Sequence, residues 1–252
     1  MSNRLNCPLS EWNARVDLAA LYRLAAHFGW SDLTSTHISA RLPDSADYYL
    51  LNSHDQMFDE ITASTLSKMS FGTGEIVDAA LSCSKTVNLA GHIIHSSILR
   101  GRPDINYVIH SHTRAGIAVS AMPGGLRPLS QHSGFVHGMI SAHPYQDSTV
   151  VEDEGAALVA DLGHNFVMLL ENHGLLVVGR TAAEAFIYHY YLEMACKIQV
   201  DILSSVDDPI EITDDAMKAL HDWGSPENGP HGDIQWAPLM RMLDRTAPEF
   251  RI

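Results

Sequence analysis

Positive charge is scarce in this chain, and that scarcity excludes one class of partner. Lys and Arg total 16 against 30 Asp and Glu, a formal net charge of −14 with histidine neutral. No Lys/Arg run supplies a local basic patch, so a nucleic-acid footprint built on phosphate contacts is excluded. Long apolar runs are also missing: none approaches the roughly 18 residues needed to cross a bilayer, and no membrane partner is expected. The opening stretch MSNRLNCPLSEWNARVD lacks the apolar centre of a secretory leader. Cysteine is sparse. Cys7, Cys83 and Cys196 are odd in number and widely spaced, which does not make a disulfide framework. These features together point to a cytoplasmic protein. Charged residues reach only 18%, too few for a disordered chain, while 46% hydrophobic residues in 252 suffice for the core of one large α/β domain.

Histidine, by contrast, is abundant, with 15 residues. It is the commonest metal ligand and the usual proton carrier near neutral pH. Most of the 15 belong to ordinary surfaces and helices, so the question is which few converge.

Hydrophobic spacing divides the chain into elements. Residues 10–29 read as an amphipathic helix with Ala14, Leu18, Leu21, Leu24, Ala25 and Phe28 on one stripe and Gly29 as its stop. HISARLP (37–43) and YYLLNS (48–53) read as strands joined by a polar loop. Residues 61–68 suggest a short helix, and FGTGEIV (71–77) a turn and strand. A helix is predicted over 86–100, broken by Arg102-Pro103-Asp104. INYVIH (105–110) is strand-like, 113–121 and 149–162 helical, and FVMLLEN (166–172) and GLLVVG (174–179) are apolar runs of strand length. Thr181-Ala182-Ala183-Glu184 has the form of a capping box opening a long helix to about residue 204. After Asp207 the chain is rich in proline, with one short helix expected over 214–223. The organisation is a main domain over residues 1–208 and a tail, 209–252, packing on it or on a neighbouring subunit. Strand hairpins with interspersed helices predict an α/β fold, a three-layer αβα sandwich around a central mixed, largely antiparallel sheet.

His110 and His112 stand two apart at a strand end. Side chains at i and i+2 of a strand project to one face, so both imidazoles can reach one cation. Catalytic zinc sites take three protein ligands, so a third must come from elsewhere. His173 is the candidate: it lies between two apolar runs and is followed by Gly174, where a close backbone turn is feasible.

The segments THISAR (36–41), FDEIT (58–62), RPDINYVIHSHT (102–113), ENHGLLVVGRT (171–181) and YYLEMACKIQ (190–199) resemble, in order and spacing, the class II aldolase/adducin family, the fold of fuculose-phosphate aldolase. The resemblance runs from about residue 10 to 205. It implies that His110, His112 and His173 bind a divalent cation, zinc foremost, with manganese or iron as alternatives. It also implies a homotetramer acting on a small-molecule substrate.

Two features depart from the sugar-phosphate aldolases of that family. The glutamate that those enzymes carry on the helix before the HxH strand falls at Gly91, which can neither ligate nor exchange a proton. Their phosphate cradle falls at Thr36-His37, His54-Asp55 and Leu89-Ala90; a carboxylate at Asp55 repels a phosphate dianion. A phosphorylated sugar is therefore not expected. The reading is a metal-dependent lyase, of aldolase or decarboxylase type, cleaving a C–C bond in a small unphosphorylated hydroxy-, oxo- or aromatic acid through an enolate-like charge stabilised by the cation. The alternatives are an Fe(II)-dependent non-haem oxygenase on the same fold and a non-catalytic adducin-like assembly protein. Candidate proton carriers are His92, His132, His137 and Glu171, the last also able to orient an imidazole. Each has an ordinary structural reading beside it, as does His95 on the face of His92. Gly91, Arg114, Thr34 and His37 are the candidates for contacting substrate: Gly91 by leaving one side of the metal centre open, Arg114 by pairing with a carboxylate.

Overall fold

Leu18, Leu21 and Leu24 are buried along one stripe of helix α1 (Leu9–His27), and burial of each contributes about 1.5–3 kcal/mol. Gly29, at φ +72°, turns the chain out of the helix as its position predicts. This is the first element of a computed structural model that describes residues 7–78, 86–146, 151–229 and 231–252. Cys83 and the first two residues of the predicted helix at 149–162 lie outside the described residues.

Among the described residues, eight strands form one sheet: β1 (His37–Arg41), β2 (Tyr48–Leu51), β3 (Ser67–Ser70), β4 (Ile76–Asp78), β5 (Tyr107–Ser111), β6 (Ile140–His143), β7 (Val167–Leu170) and β8 (Gly174–Gly179), in the order β4-β3-β2-β1-β5-β8-β7-β6. All neighbours are antiparallel except β6 and β7, which run parallel. Helices cover both faces. Helices α2 (Leu89–Gly101) and α5 (Val151–Leu162) lie on one face; α1, α3 (Arg114–Ser120), α6 (Ala182–Leu203) and α8 (Asp233–Thr246) lie on the other, with α4 (Gln131–Val136) packed on α6. The predicted three-layer αβα arrangement is the one observed. Helices α2 and α5 approach closely because Gly155 faces Ser97, where a Cβ would meet the hydroxyl at 2.1 Å.

The strand alternation sets which residues reach the site. In β1, Ile38 and Ala40 join the core under α1, so His37 and Ser39 face α2. In β5, Tyr107 and Ile109 lie on the α1 face, leaving Val108 and His110 toward α2.

Three expectations are corrected. Residues 61–68 are not helical: Thr65 Oγ1 accepts from the Thr62 amide and donates to the Thr62 carbonyl, a local alternative to helix hydrogen bonds. The Ala63 and Ser64 amides there donate to Phe250 and Ile252, so the chain end occupies this segment's backbone. Second, the tail has two helices, α7 (Asp214–Gly224) and α8, rather than one. Pro238 sits inside α8 in the second turn, where it disguises the helix from pattern reading. Third, the capping box before α6 is half-formed: Thr181 Oγ1 accepts from the Glu184 amide, but the Glu184 carboxylate turns to the Arg180 amide and guanidinium.

Candidate metal centre

The centre is built where β5 ends. Its cross-strand partner β8 begins one residue after His173, with Ser111 opposite Leu175. Asn172 adopts φ +56° to make the turn. A Cβ on Gly174 would stand 2.3 Å from the Ser111 carbonyl oxygen, so only glycine lets this turn close on β5. His173 is thereby carried to the end of the HxH pair. His112 Nε2 stands 2.9 Å from His110 Nε2 and 3.0 Å from His173 Nε2. Ligand atoms of the three residues lie within 4.8 Å of one another. Three nitrogens each 2.0–2.1 Å from a tetrahedral ion would be about 3.3 Å apart, so a small adjustment admits zinc.

Hydrogen bonds at the outer nitrogens fit the same role. His110 Nδ1 is 3.0 Å from the Leu175 carbonyl oxygen, to which it donates, and His112 Nδ1 donates to Asp32 Oδ2 at 3.1 Å. Both bonds place the ring proton on Nδ1 and leave Nε2 as a lone pair for a cation. Burial, then the neighbouring imidazoles, holds His110 well below the ordinary histidine value. Burial, followed by His112 and His143, brings His173 down to about 4. Neutral imidazole is the ligating form. The alternating residues anchor the pair from behind: Ser111 Oγ bonds His189 Nε2 at 2.8 Å and Thr113 Oγ1 donates to Glu193 Oε2 at 2.5 Å, both partners on α6.

The profile of the Class II Aldolase and Adducin N-terminal domain matches residues 16–200. The chain belongs to the class II aldolase and adducin family. The solved structure of an aldolase II superfamily protein from Pseudomonas syringae is 40% identical and superposes with a TM-score of 0.92, covering 100% of both chains. L-fuculose 1-phosphate aldolase from Glaciozyma antarctica is 25% identical at a TM-score of 0.83, covering 96% of this chain and 93% of its own. Alpha-adducin of Rattus norvegicus is 38% identical over 243 residues, covering 91% of this chain but 33% of adducin.

Within this family member, the space beside Gly91 is filled rather than open. A Cβ there would meet His37 Cδ2 at 2.7 Å and Nε2 at 2.9 Å. His37 pairs across strands with His110, and the two rings lie 5.0 Å apart between centroids. The His37 ring is fixed from outside: its Nδ1 bonds His95 Nε2 at 2.8 Å, and His95 Nδ1 bonds Ser39 Oγ at 2.5 Å. Burial comes first, and the surrounding imidazoles second, in holding His37 and His95 well below the ordinary value. The sequence expectation of an opened side at Gly91 is thus corrected, because a β1 side chain occupies the slot.

The other candidates separate. His92 turns away to Tyr49, whose hydroxyl is 2.6 Å from His92 Nδ1. His132 packs against Tyr191, 5.9 Å between ring centroids, and burial lowers its pKa. His137 and Glu171 share the lining of a cavity of about 630 Å³ beside the Gly124-Gly125 turn. Exposed Glu171 also lines a second cavity, of about 200 Å³, together with His173. Its backbone amide donates to the His143 carbonyl, and its carboxylate bonds none of the three imidazoles. Arg114 is exposed as the first residue of α3, and Thr34 is half-buried in the loop that carries Asp32. Sequence reading missed Asp32, His143 and Tyr145. Tyr145, whose ring centroid is 6.1 Å from that of His173, lines the smaller cavity with His143. For Asp32 a carboxylate in the loop before the first strand was the available signal; His143 and Tyr145 gave none, since they reach the site through the parallel pairing of β6 with β7.

Proposed function

We propose that this chain is a divalent-metal lyase that cleaves a C–C bond in a small, unphosphorylated hydroxy-, oxo- or aromatic acid. The observation that carries the reading is the convergence of three imidazole Nε2 atoms, two with their tautomer set by an outer acceptor. His110, His112 and His173 would hold the ion, with zinc preferred and manganese or iron as alternatives. Once bound, such an ion supplies a Lewis acid for negative charge developing on a substrate oxygen. The protein's own groups do the rest. Asp32 and the Leu175 carbonyl keep the ligating nitrogens aimed, and His37 closes the side at Gly91 with a neutral ring. Arg114, exposed at the start of α3, is available to a substrate carboxylate. An anionic Asp55 and the absence of a glycine-lined cradle at Thr36-His37 support an unphosphorylated substrate. The proposal includes a homotetramer, as the family resemblance implies, and a cytoplasmic location, as the composition leads one to expect.

Alpha-adducin's similarity supports a second reading, a non-catalytic assembly role, and three neutral imidazoles also suit an Fe(II) oxygenase. Metal analysis of the purified chain, followed by incubation with hydroxy, oxo and aromatic acids while CO2, aldehyde and O2 are monitored, separates the three. A stoichiometric ion with CO2 or aldehyde release supports the lyase; O2 uptake with iron indicates the oxygenase; no retained ion overturns both enzymatic readings.

A further inference from the structure

The smaller cavity contains a carboxylate–imidazole pair that the triad does not use. His143, at the end of β6, is 4% exposed, and its Nδ1 lies 2.7 Å from Asp161 Oδ2 on α5. The bond puts the ring proton on Nδ1, because a carboxylate accepts and does not donate. In the neutral ring Nε2 is then a bare lone pair. It is buried and has no hydrogen-bond partner among the described residues, a condition that is rare and costs free energy unless a ligand or water completes it. His143 lines the cavity of about 200 Å³ whose wall also includes His173, Tyr145, Glu171, Ala90 and Ile94. A lone-pair acceptor on one wall and a metal-ligating imidazole on another fit one ligand that meets both.

We infer that His143, oriented by Asp161, is the acceptor for a hydroxyl group of the acid bound at the triad. The acceptor-only character of Nε2 selects the ligand class: a carboxylic acid bearing a hydroxyl beyond the carboxyl end, in preference to the same acid without it. Asp161 is a positioning residue, which holds the ring in the tautomer that accepts. This rests on the lyase reading in one respect, that the loaded triad binds a small acid.

The test uses the full chain loaded with zinc, titrated calorimetrically with butyrate and with 3-hydroxybutyrate. These probes differ by one hydroxyl. The wild type is expected to bind the hydroxylated acid about tenfold more tightly, the strength of one well-formed hydrogen bond. His143→Phe keeps an aromatic ring of similar size and leaves Asp161, 40% exposed, hydrated. It is expected to bring the preference to within about threefold. A crystal structure of the zinc-loaded wild type with 3-hydroxybutyrate gives a readout independent of any substitution: the hydroxyl should lie within hydrogen-bond distance of His143 Nε2. Butyrate binding with no hydroxyl preference, an undiminished preference in His143→Phe, or a hydroxyl placed elsewhere each overturns this assignment and leaves the lyase reading standing. Binding of neither acid to the zinc-loaded protein overturns this assignment together with its premise that the loaded triad binds a small hydroxy acid.

Discussion

Substituting Gly91 by alanine tests whether the His37 ring occupies the slot beside it. In an ordinary helix interior the exchange stabilises by about 1 kcal/mol, since glycine loses more backbone entropy on folding. Here the added Cβ would lie 2.7, 2.9 and 3.0 Å from three atoms of the His37 ring. Carbon atoms rest at about 3.5–4.0 Å, so the ring must retreat by about 0.8 Å or more. It cannot do so freely: the bond from Nδ1 to His95 holds one side and His110 backs the ring on the same sheet face. Overpacking of this kind costs about 1–3 kcal/mol, and loosening the His95 bond about 1 more. The net expectation in the wild type is a loss of about 1–3 kcal/mol, despite the helix preference of alanine. In a His37→Ala background the obstruction is gone, and the same Gly91→Ala exchange should stabilise by up to about 1 kcal/mol. The assay is urea denaturation of the metal-free protein, followed by circular dichroism at one fixed protein concentration, over the four corners of the double-mutant cycle. The sign reversal is the signature. Stabilisation by Gly91→Ala in the wild type, or the same effect in both backgrounds, would refute the packing argument.

His112→Ala is expected to abolish metal retention and turnover with the fold intact by circular dichroism; unchanged metal content would remove the basis of the centre. Asp32→Asn weakens the outer bond to His112 and should lower zinc affinity by about tenfold in competition with a chromophoric chelator, the lower end of the usual range because Asp32 is half-exposed. The metal-free protein should lose stability in acid. His173 titrates at about 4 in the fold against 6.5 free, with burial the first cause. The unfolded chain therefore binds the extra proton first, and stability is full above about 6.5 and declines as pH falls toward about 4. His110, also lowered by burial, extends the decline in the same direction. Urea midpoints at intervals from pH 7 to 4 check this; a flat profile contradicts neutral, buried imidazoles.

Much of the fold was legible because its signals are local. The stripe of α1, the strand runs around His110 and His173 and the break at Arg102-Pro103-Asp104 each follow from period and stereochemistry within a few residues. Where a distant segment intervened, local reading failed. Residues 61–68 carry a helical pattern, yet the chain end takes their amides. Helix α8 is interrupted in sequence by Pro238, yet packing on α1 and α6 keeps it helical.

The site divides in the same way. Alternation along a strand puts His110 and His112 on one face, and the glycine after His173 marks a turn that must approach another backbone; those relations exist in the sequence itself. Which side chain fills the place beside Gly91 does not, because it depends on the β1–β5 register that sets His37 opposite His110. The pairing of Asp161 with His143, and of Asp32 with His112, likewise joins residues separated by 18 and 80 positions. Periodicity acts over a few residues of backbone geometry, whereas such partners are chosen by how whole layers pack. The chain's order of residues therefore determined the candidate ligands, and the tertiary structure decided what orients them and what stands beside them.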